Sequence, residues 1–538
     1  MPSPRQGISD LPAICLQHGI KHVIIAPGSR NAPLVMAFAR NADFNCLSIT
    51  DERCAGYYAL GIAIFLQKPV AVICTSGTAA VNLYPAISEA YYLRVPLLVL
   101  TADRPPELID QNDGQTIRQS NIYAPMVKKS FVLPVETSDE NDLWYFRRTI
   151  SEAINLSFEG VPGPVHINVP LRTPLYAKLP ESEPPKAPIQ LLKSKTSLSP
   201  EKLKILAERW QQSRKRLVVC GQAAKNDKLN QSLEYIAKNN LAVVVAENLS
   251  NLASPYFIDT PEQFIASLSD DEKMAFAPDL LITIGSSVVS KRLKKFIRQH
   301  KPAQHWHVDE HQFYIDTYQS LTLNVACSSE EFFSNMRSVD AANPNYSRIY
   351  TQRQSQILKN LDEFVREAPF TDLVAFSSII SHIPDNYALH LANSTPVRYS
   401  QLFDSRKSIT YHSNRGTSGI DGCISTAAGY ALASGSENLL ITGDLAFIYD
   451  SNALWNNKFP ANLKIIVFEN GGGNIFKLIE TSPEVEGIEH FFETPHRVNI
   501  ALLASAYGFE HKVATTAKEL NTILEEIFKP NKKPIVIS

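Results

Sequence analysis

Short runs of apolar, mostly β-branched residues alternate with helical stretches along most of the chain. Between residues 20 and 170 these runs include Val23-Ile24-Ile25, Val70-Ala71-Val72-Ile73-Cys74, Leu97-Leu98-Val99-Leu100 and Val165-His166-Ile167-Asn168-Val169. Continuous rather than alternating apolar strands, with helices between them, predict a parallel sheet covered on both faces. Leu171 to Pro200 carries six prolines among Lys, Ser and Glu, which suits an interdomain linker. A second strand set follows in Leu217-Val218-Val219-Cys220-Gly221, Ala242-Val243-Val244-Val245 and Leu280 to Gly285, without a full GxGxxG fingerprint. Polar helical sequence from about 328 to 372 then leads to a third set, with Leu439-Leu440-Ile441 and Ile465-Ile466-Val467-Phe468. The pattern predicts an α/β protein of three doubly wound parallel-sheet domains, over 1–180, 195–345 and 360–538, the first and third alike in architecture.

The 538 residues suffice for several buried cores. A net charge of −2 supplies no basic field for nucleic acid or an anionic membrane, so small molecules are the expected partners. The cluster Lys291-Arg292-Leu293-Lys294-Lys295 reads as a solvated helix face, one that could also guide anionic substrates. The seven cysteines are odd in number and widely spaced, with no zinc or CxxC spacing, which predicts free thiols in a reducing compartment. No stretch reaches the ~20 apolar residues of a membrane span, and Met1 to Gln6 contains no apolar leader, so a cytoplasmic protein is expected.

Candidate chemistry begins with Gly443-Asp444-Leu445 and Asn470-Gly471-Gly472-Gly473, each following an apolar run. Both turns therefore lie at the carboxyl edge of a parallel sheet, where open α/β sheets bind ligands. A carboxylate, an amide oxygen and a glycine carbonyl are the hard ligands that Mg²⁺ takes when it holds a diphosphate, which makes Asp444, Asn470 and Gly472 the candidate metal set. Alone, a Gly-Asp pair is more often a helix cap. The spacing to Asn470, however, resembles the thiamine diphosphate (ThDP) motif. Thr50-Asp51-Glu52-Arg53, just past the apolar stretch Phe44 to Ile49, supplies the carboxylate that ThDP needs against N1′ of its aminopyrimidine, and Glu52 is that candidate.

Further motifs make the resemblance specific. They are Pro27-Gly28-Ser29-Arg30, Thr75-Ser76-Gly77-Thr78-Ala79, Thr101-Ala102-Asp103-Arg104-Pro105, Gln115-Thr116-Ile117-Arg118-Gln119, Asn393-Ser394 with Arg398, Arg415 to Gly422, and Asn474-Ile475-Phe476. Together they resemble the ThDP-dependent synthase family of menaquinone biosynthesis, whose product is 2-succinyl-5-enolpyruvyl-6-hydroxy-3-cyclohexene-1-carboxylate (SEPHCHC). The match covers the first and third domains and is weak in the middle one. The resemblance implies a pyrimidine-binding, a central and a diphosphate-binding domain. It implies decarboxylation of 2-oxoglutarate and addition of the four-carbon product to isochorismate.

Under that resemblance the catalytic set is Glu52, Gln115, Arg398 and Arg415. Cofactor binding falls to Glu52, Ser76, Gly77, Ser394, Ile420, Gly443, Asp444, Leu445, Asn470, Gly472, Ile475 and Phe476, with Mg²⁺ or Mn²⁺ on the metal set. Substrate binding falls to Ser29, Arg30, Arg104, Gln115, Arg118, Asn393, Arg398, Arg415, Ile475 and Phe476, since planar guanidinium forks suit substrates that carry two carboxylates each. Ile420 would be the aliphatic wedge beneath the cofactor. His412 stays outside the catalytic set, because a lone His beside a strand is more often structural. Glu52 and the metal set belong to different domains, which in this family come from different subunits, so a homodimer or homotetramer is expected. Two alternatives stay open: another ThDP-dependent 2-oxoacid decarboxylase or acetohydroxyacid synthase, and a non-catalytic cofactor-binding protein on the same fold.

Overall fold

The computed structural model describes all residues except 193, 195, 312, 341, 479–485, 488 and 530–532. Three parallel sheets organise it. The first contains β1 (His22–Ile25), β2 (Asn45–Ser48), β3 (Val70–Cys74), β4 (Leu97–Asp103), β5 (Ser130–Val132) and β6 (Val165–Pro170), in the order β2-β1-β3-β4-β6-β5. The second contains β7 (Arg216–Cys220), β8 (Val243–Ala246), β9 (Leu280–Ile284), β10 (Gln304–Val308) and β11 (Leu323–Val325), in the order β11-β10-β9-β7-β8. The third contains β12 (Ala388–Leu391), β13 (Thr410–His412), β14 (Asn438–Gly443), β15 (Leu463–Phe468), β16 (Glu510–Lys512) and β17 (Ile535–Ile537), in the order β13-β12-β14-β15-β17-β16.

The first and third sheets thus share one winding, and each reverses direction beside its first strand. At that switch point the connections leave toward opposite faces and open a crevice at the strands' carboxyl ends. The central strands β3, β4, β9 and β14 are buried almost throughout, as their mostly apolar sequence requires. Between the described residues of 171 and 199 no helix or strand forms, in keeping with the prolines.

The first and third domains share one core. Helix Glu52–Leu66 lies against helix Cys423–Ser434, and the apolar cluster around them mixes Tyr58, Leu60 and Ala63 with Ile424, Ala427 and Leu440. Close approach is permitted by glycine at the crossing: a Cβ on Gly61 would run into the Thr426 carbonyl, and one on Gly429 into that of Tyr58. The middle domain docks through Asn248 Nδ2 to Ser400 O (2.9 Å) and through Asn251, which exchanges two hydrogen bonds with the Tyr411 backbone. Arg94 of the first domain reaches Asp309 of the second at 2.7 Å. Among the described residues no helix is long and apolar enough to cross a membrane.

Candidate active site

Every predicted site residue lies beyond the carboxyl end of a strand or in the loop and first helical turn that follow it. Asp444 directly follows β14 and is 2 % exposed. Its Oδ1 accepts the Leu445 amide at 2.7 Å, and its Oδ2 accepts those of Gly471 (2.7 Å) and Gly472 (3.1 Å). Three backbone donors orient the carboxylate and aim it at the glycine turn after β15. Gly472 is required there in a direct sense: its φ is +152° and a Cβ would press on the Glu493 carbonyl. Asn470 donates from Nδ2 to Asp372 Oδ2 at 3.0 Å, so its Oδ1 is the end left to accept or to meet a cation.

A cavity of about 640 Å³ opens at this point. Its lining includes Asn393, Ser394, Arg398, Ile420, Gly443, Asp444, Leu445, Asn470, Gly472, Ile475 and Phe476. The volume falls within the range of small-molecule sites, and the wall joins one acidic, oxygen-rich end to apolar and cationic surface. Asn393 organises the loop opposite. Its Nδ2 donates to the Asn414 and Gly419 carbonyls (2.7 and 2.6 Å), and its Oδ1 accepts Arg415 Nη1 at 2.8 Å. Arg415 therefore braces Asn393, and burial, followed by the Arg398 charge, lowers the affinity of its guanidinium for its proton. Ser394 begins helix Thr395–Tyr399 at φ +76°, a strained setting that turns the chain into the cavity wall.

The pyrimidine-side candidates form a separate cluster on the first sheet. Asp51 caps helix Glu52–Leu66 by accepting the Cys54 amide, which places Glu52 in its first turn. Ser76 Oγ donates to the Gln115 carbonyl at 2.9 Å, and Gly77 N to Gln119 Oε1 at 2.8 Å. Gln115 itself sits at φ +56°. Arg30 is buried with Nη1 on the Leu171 carbonyl, and burial, together with nearby Arg104, depresses its basicity. Arg104 pairs with Asp113 at 3.1 Å. Ser29 is exposed, and Arg118, whose side chain is 81 % exposed, pairs with Asp110. The structure brings Ser76 to Gln115 and Arg30 near Arg104; Glu52, Ser76, Gly77, Gln115 and the three arginines do not line the cavity at Asp444.

Other residues came to the site without a sequence signal strong enough to place them. Lys291, Arg292 and Glu262 of the middle domain line the cavity, so the first turn of the basic helix, read as a solvated face that could also guide anionic substrates, forms part of its wall. The available clue was Ser290, a cap residue that starts the helix at Lys291. His496 brings Nε2 to 3.2 Å from Asp444 Oδ2, from a segment with no motif of its own. His412 packs in a buried stack with His390 and Tyr430, away from this cavity.

Comparison with known proteins follows the same division. Residues 7–122 match the thiamine pyrophosphate enzyme N-terminal TPP binding domain, 192–391 the middle domain of thiamine pyrophosphate enzymes, and 394–538 the C-terminal TPP binding domain. A Flavobacterium psychrophilum protein is 41 % identical over 532 residues, covering 96 % of this chain and 95 % of its own. One from Desulfotalea psychrophila is 39 % identical over 99 % of this chain and 98 % of its own, and one from Porphyromonas gingivalis 38 % over 99 % and 94 %. All three are named 2-succinyl-5-enolpyruvyl-6-hydroxy-3-cyclohexene-1-carboxylate synthase. With all three domain models matched in order and such identity along nearly its whole length, the chain belongs to the thiamine pyrophosphate enzymes, in the family of the SEPHCHC synthases.

Proposed function

We propose that the protein decarboxylates 2-oxoglutarate and joins the resulting four-carbon unit to isochorismate, yielding SEPHCHC and CO2 for menaquinone biosynthesis. The observation that carries this reading is one cavity in which the oxygen set of Asp444, Asn470 and Gly472 faces Arg398, Lys291 and Arg292, in a chain whose relatives bear that synthase's name. We assign residues 1–180 to pyrimidine binding, 195–345 to the central domain and 360–538 to diphosphate and metal binding.

The donor set fits a hard divalent cation, Mg²⁺ or Mn²⁺: Asp444, Asn470 and the Gly472 carbonyl would hold it, and it would supply positive charge for a diphosphate. Bound ThDP supplies the thiazolium carbon that adds to the 2-oxo group and the electron sink that lets CO2 depart. Glu52 holds a proton at ring nitrogen N1′ of the aminopyrimidine. Arg398 and Arg415 orient substrate carboxylates from the third domain, with Asn393 holding Arg415 in place, and Lys291 and Arg292 add positive charge from the second. Ser29, Arg30, Arg104, Gln115 and Arg118 do the same from the first. Ser76, Gly77 and Ser394 fix the cofactor's ends. Ile420, Ile475 and Phe476 give the cavity an apolar wall that would exclude water from the reacting end of the bound cofactor.

Because the Glu52 cluster stands apart from the Asp444 cavity within one chain, we propose that each complete site joins two subunits, in a homodimer or a dimer of dimers acting in the cytoplasm. The test is loss of isochorismate absorbance with ThDP, Mg²⁺ and 2-oxoglutarate. Consumption that needs every component and collapses in Glu52→Gln supports the reading. CO2 release with isochorismate untouched would instead indicate a decarboxylase with another acceptor.

A further inference from the structure

Glu247 follows β8 and is 1 % exposed, far from the cofactor motifs in sequence. Its Oε2 accepts the Val289 amide at 2.6 Å and its Oε1 the Ser290 amide at 2.7 Å. Ser290 caps helix Lys291–Gln299 by accepting the Leu293 amide at 3.0 Å. The same turn is tied a second time by Glu262, which accepts Ser290 Oγ (2.6 Å) and the Arg292 amide (3.2 Å) and meets the Arg292 guanidinium at 3.2 Å. Two carboxylates, Glu247 after β8 and Glu262 in the first turn of helix Pro261–Ala266, thus grip the start of a helix whose first two residues line the cavity.

Such an arrangement is costly unless it serves something. Burying a carboxylate is unfavourable, and two amide donors with the nearby charges of Lys294 and Arg415 offset that only in part. Burial raises the Glu247 carboxyl to about 7. A neutral helix start could be capped by Ser290 alone. When ionised, the Glu247 carboxylate at this helix terminus does more: it favours the dipole and balances the crowding of Lys291, Arg292, Lys294 and Lys295 beside a site for anions.

We infer that Glu247 is a positioning residue for substrate binding, acting through the turn 289–292 to hold Lys291 and Arg292 against a carboxylate of one dicarboxylate substrate. The inference rests on the functional reading above for the substrate's identity, and on geometry alone for the positioning. Glu247→Gln keeps the shape but replaces one acceptor oxygen with an NH2 group that faces a backbone donor, so one of the two amides loses its partner. The turn then loosens while the metal set and Glu52 are untouched.

The experiment measures KM and kcat for each substrate in the full-length holoenzyme, together with amide hydrogen exchange over 286–299. In Glu247→Gln we expect KM for one substrate to rise about tenfold with kcat within about twofold of wild type. Placed on a Lys291→Ala/Arg292→Ala background the same change should add no further rise in KM. An unchanged KM, or an equal rise on that background, overturns the inference, as does a fall in kcat alone. Glu247→Asp keeps the charge but is one methylene shorter; it should show the same split at smaller size, and it decides the question if the Gln variant does not fold. Faster exchange at 289–293 with β9 unchanged supports the positioning, and equal exchange overturns it. That arm needs no turnover, so a wild type inert toward both substrates would sink the functional reading while leaving the positioning separately decided.

Discussion

A single carboxylate illustrates how much local chemistry this fold concentrates on one atom pair. Asp444 takes three backbone donors and faces His496, so its charge is held in place before any ligand arrives. Asp444→Asn should keep the fold, since the amide is isosteric, yet weaken Mg²⁺-dependent ThDP binding by at least about tenfold, as measured by calorimetric titration. Retained affinity would remove Asp444 from the metal set. Histidines in the interior carry a different signature. His390 is buried, donates from Nε2 to Asn438 Oδ1 at 3.0 Å and stacks on His412; burial lowers its pKa to about 4 and pushes that of His412 down as well. Between its ordinary value near ~6.5 and that value, the unfolded chain binds the proton more readily than the native one, so stability contributed by the neutral ring is lost as pH falls through this window. Thermal melts from pH 7 to 4.5 should therefore show a downward trend that His390→Gln makes shallower. A trend of unchanged slope in the variant would assign the acid sensitivity to other groups.

At the scale of elements, the helix pair Glu52–Leu66 and Cys423–Ser434 decides how the catalytic end of the first domain meets the third. Arg53 donates to the Tyr449 carbonyl at 2.7 Å and Asn452 to Asp51 at 2.6 Å, so both neighbours of Glu52 are tied to the segment that follows the Asp444 helix. Gly61→Ala would force these helices apart and should cost about 1–3 kcal/mol in denaturant unfolding, with a lowered midpoint. An unaffected midpoint would mean the crossing relaxes without loss. Sequence patterning locates both helices, but a glycine in a helical run looks the same whether it is tolerated or required. Only the approaching carbonyl of another domain tells the two apart. The basic helix teaches the converse: charge spacing describes a solvated face correctly for most of its length, while the placement of its first turn depends on where β9 ends and on Glu247 and Glu262 from other segments.

For the whole molecule, the separation of Glu52 from the Asp444 cavity predicts complementation between chains. Co-expressed Glu52→Gln and Asp444→Ala, each inactive alone, should regain about a quarter of wild-type activity, because half of the random dimers carry one intact shared site. No recovery in verified mixed dimers would place both halves of a site within one chain. The parallel-sheet class, the likeness of the first and third domains and nearly all the motif residues could be read from sequence, since buried parallel strands are contiguous apolar runs and ligand loops follow them, whereas the strand order came only with the tertiary structure. That same logic, with the spacing of Asp444 and Asn470, pointed to the cofactor class, and the wider motif set to the family. What the chain's order could not convey is which loops from different domains converge. The middle domain's Lys291, Arg292 and Glu262 reach the cavity, and Arg415 braces Asn393, bringing together residues from about 20 to more than 200 positions apart. Local propensity and hydrophobic pattern act over a few residues and so determine elements; the meeting of three domains is set by shape and charge complementarity between surfaces, and that exists only once the chain has folded.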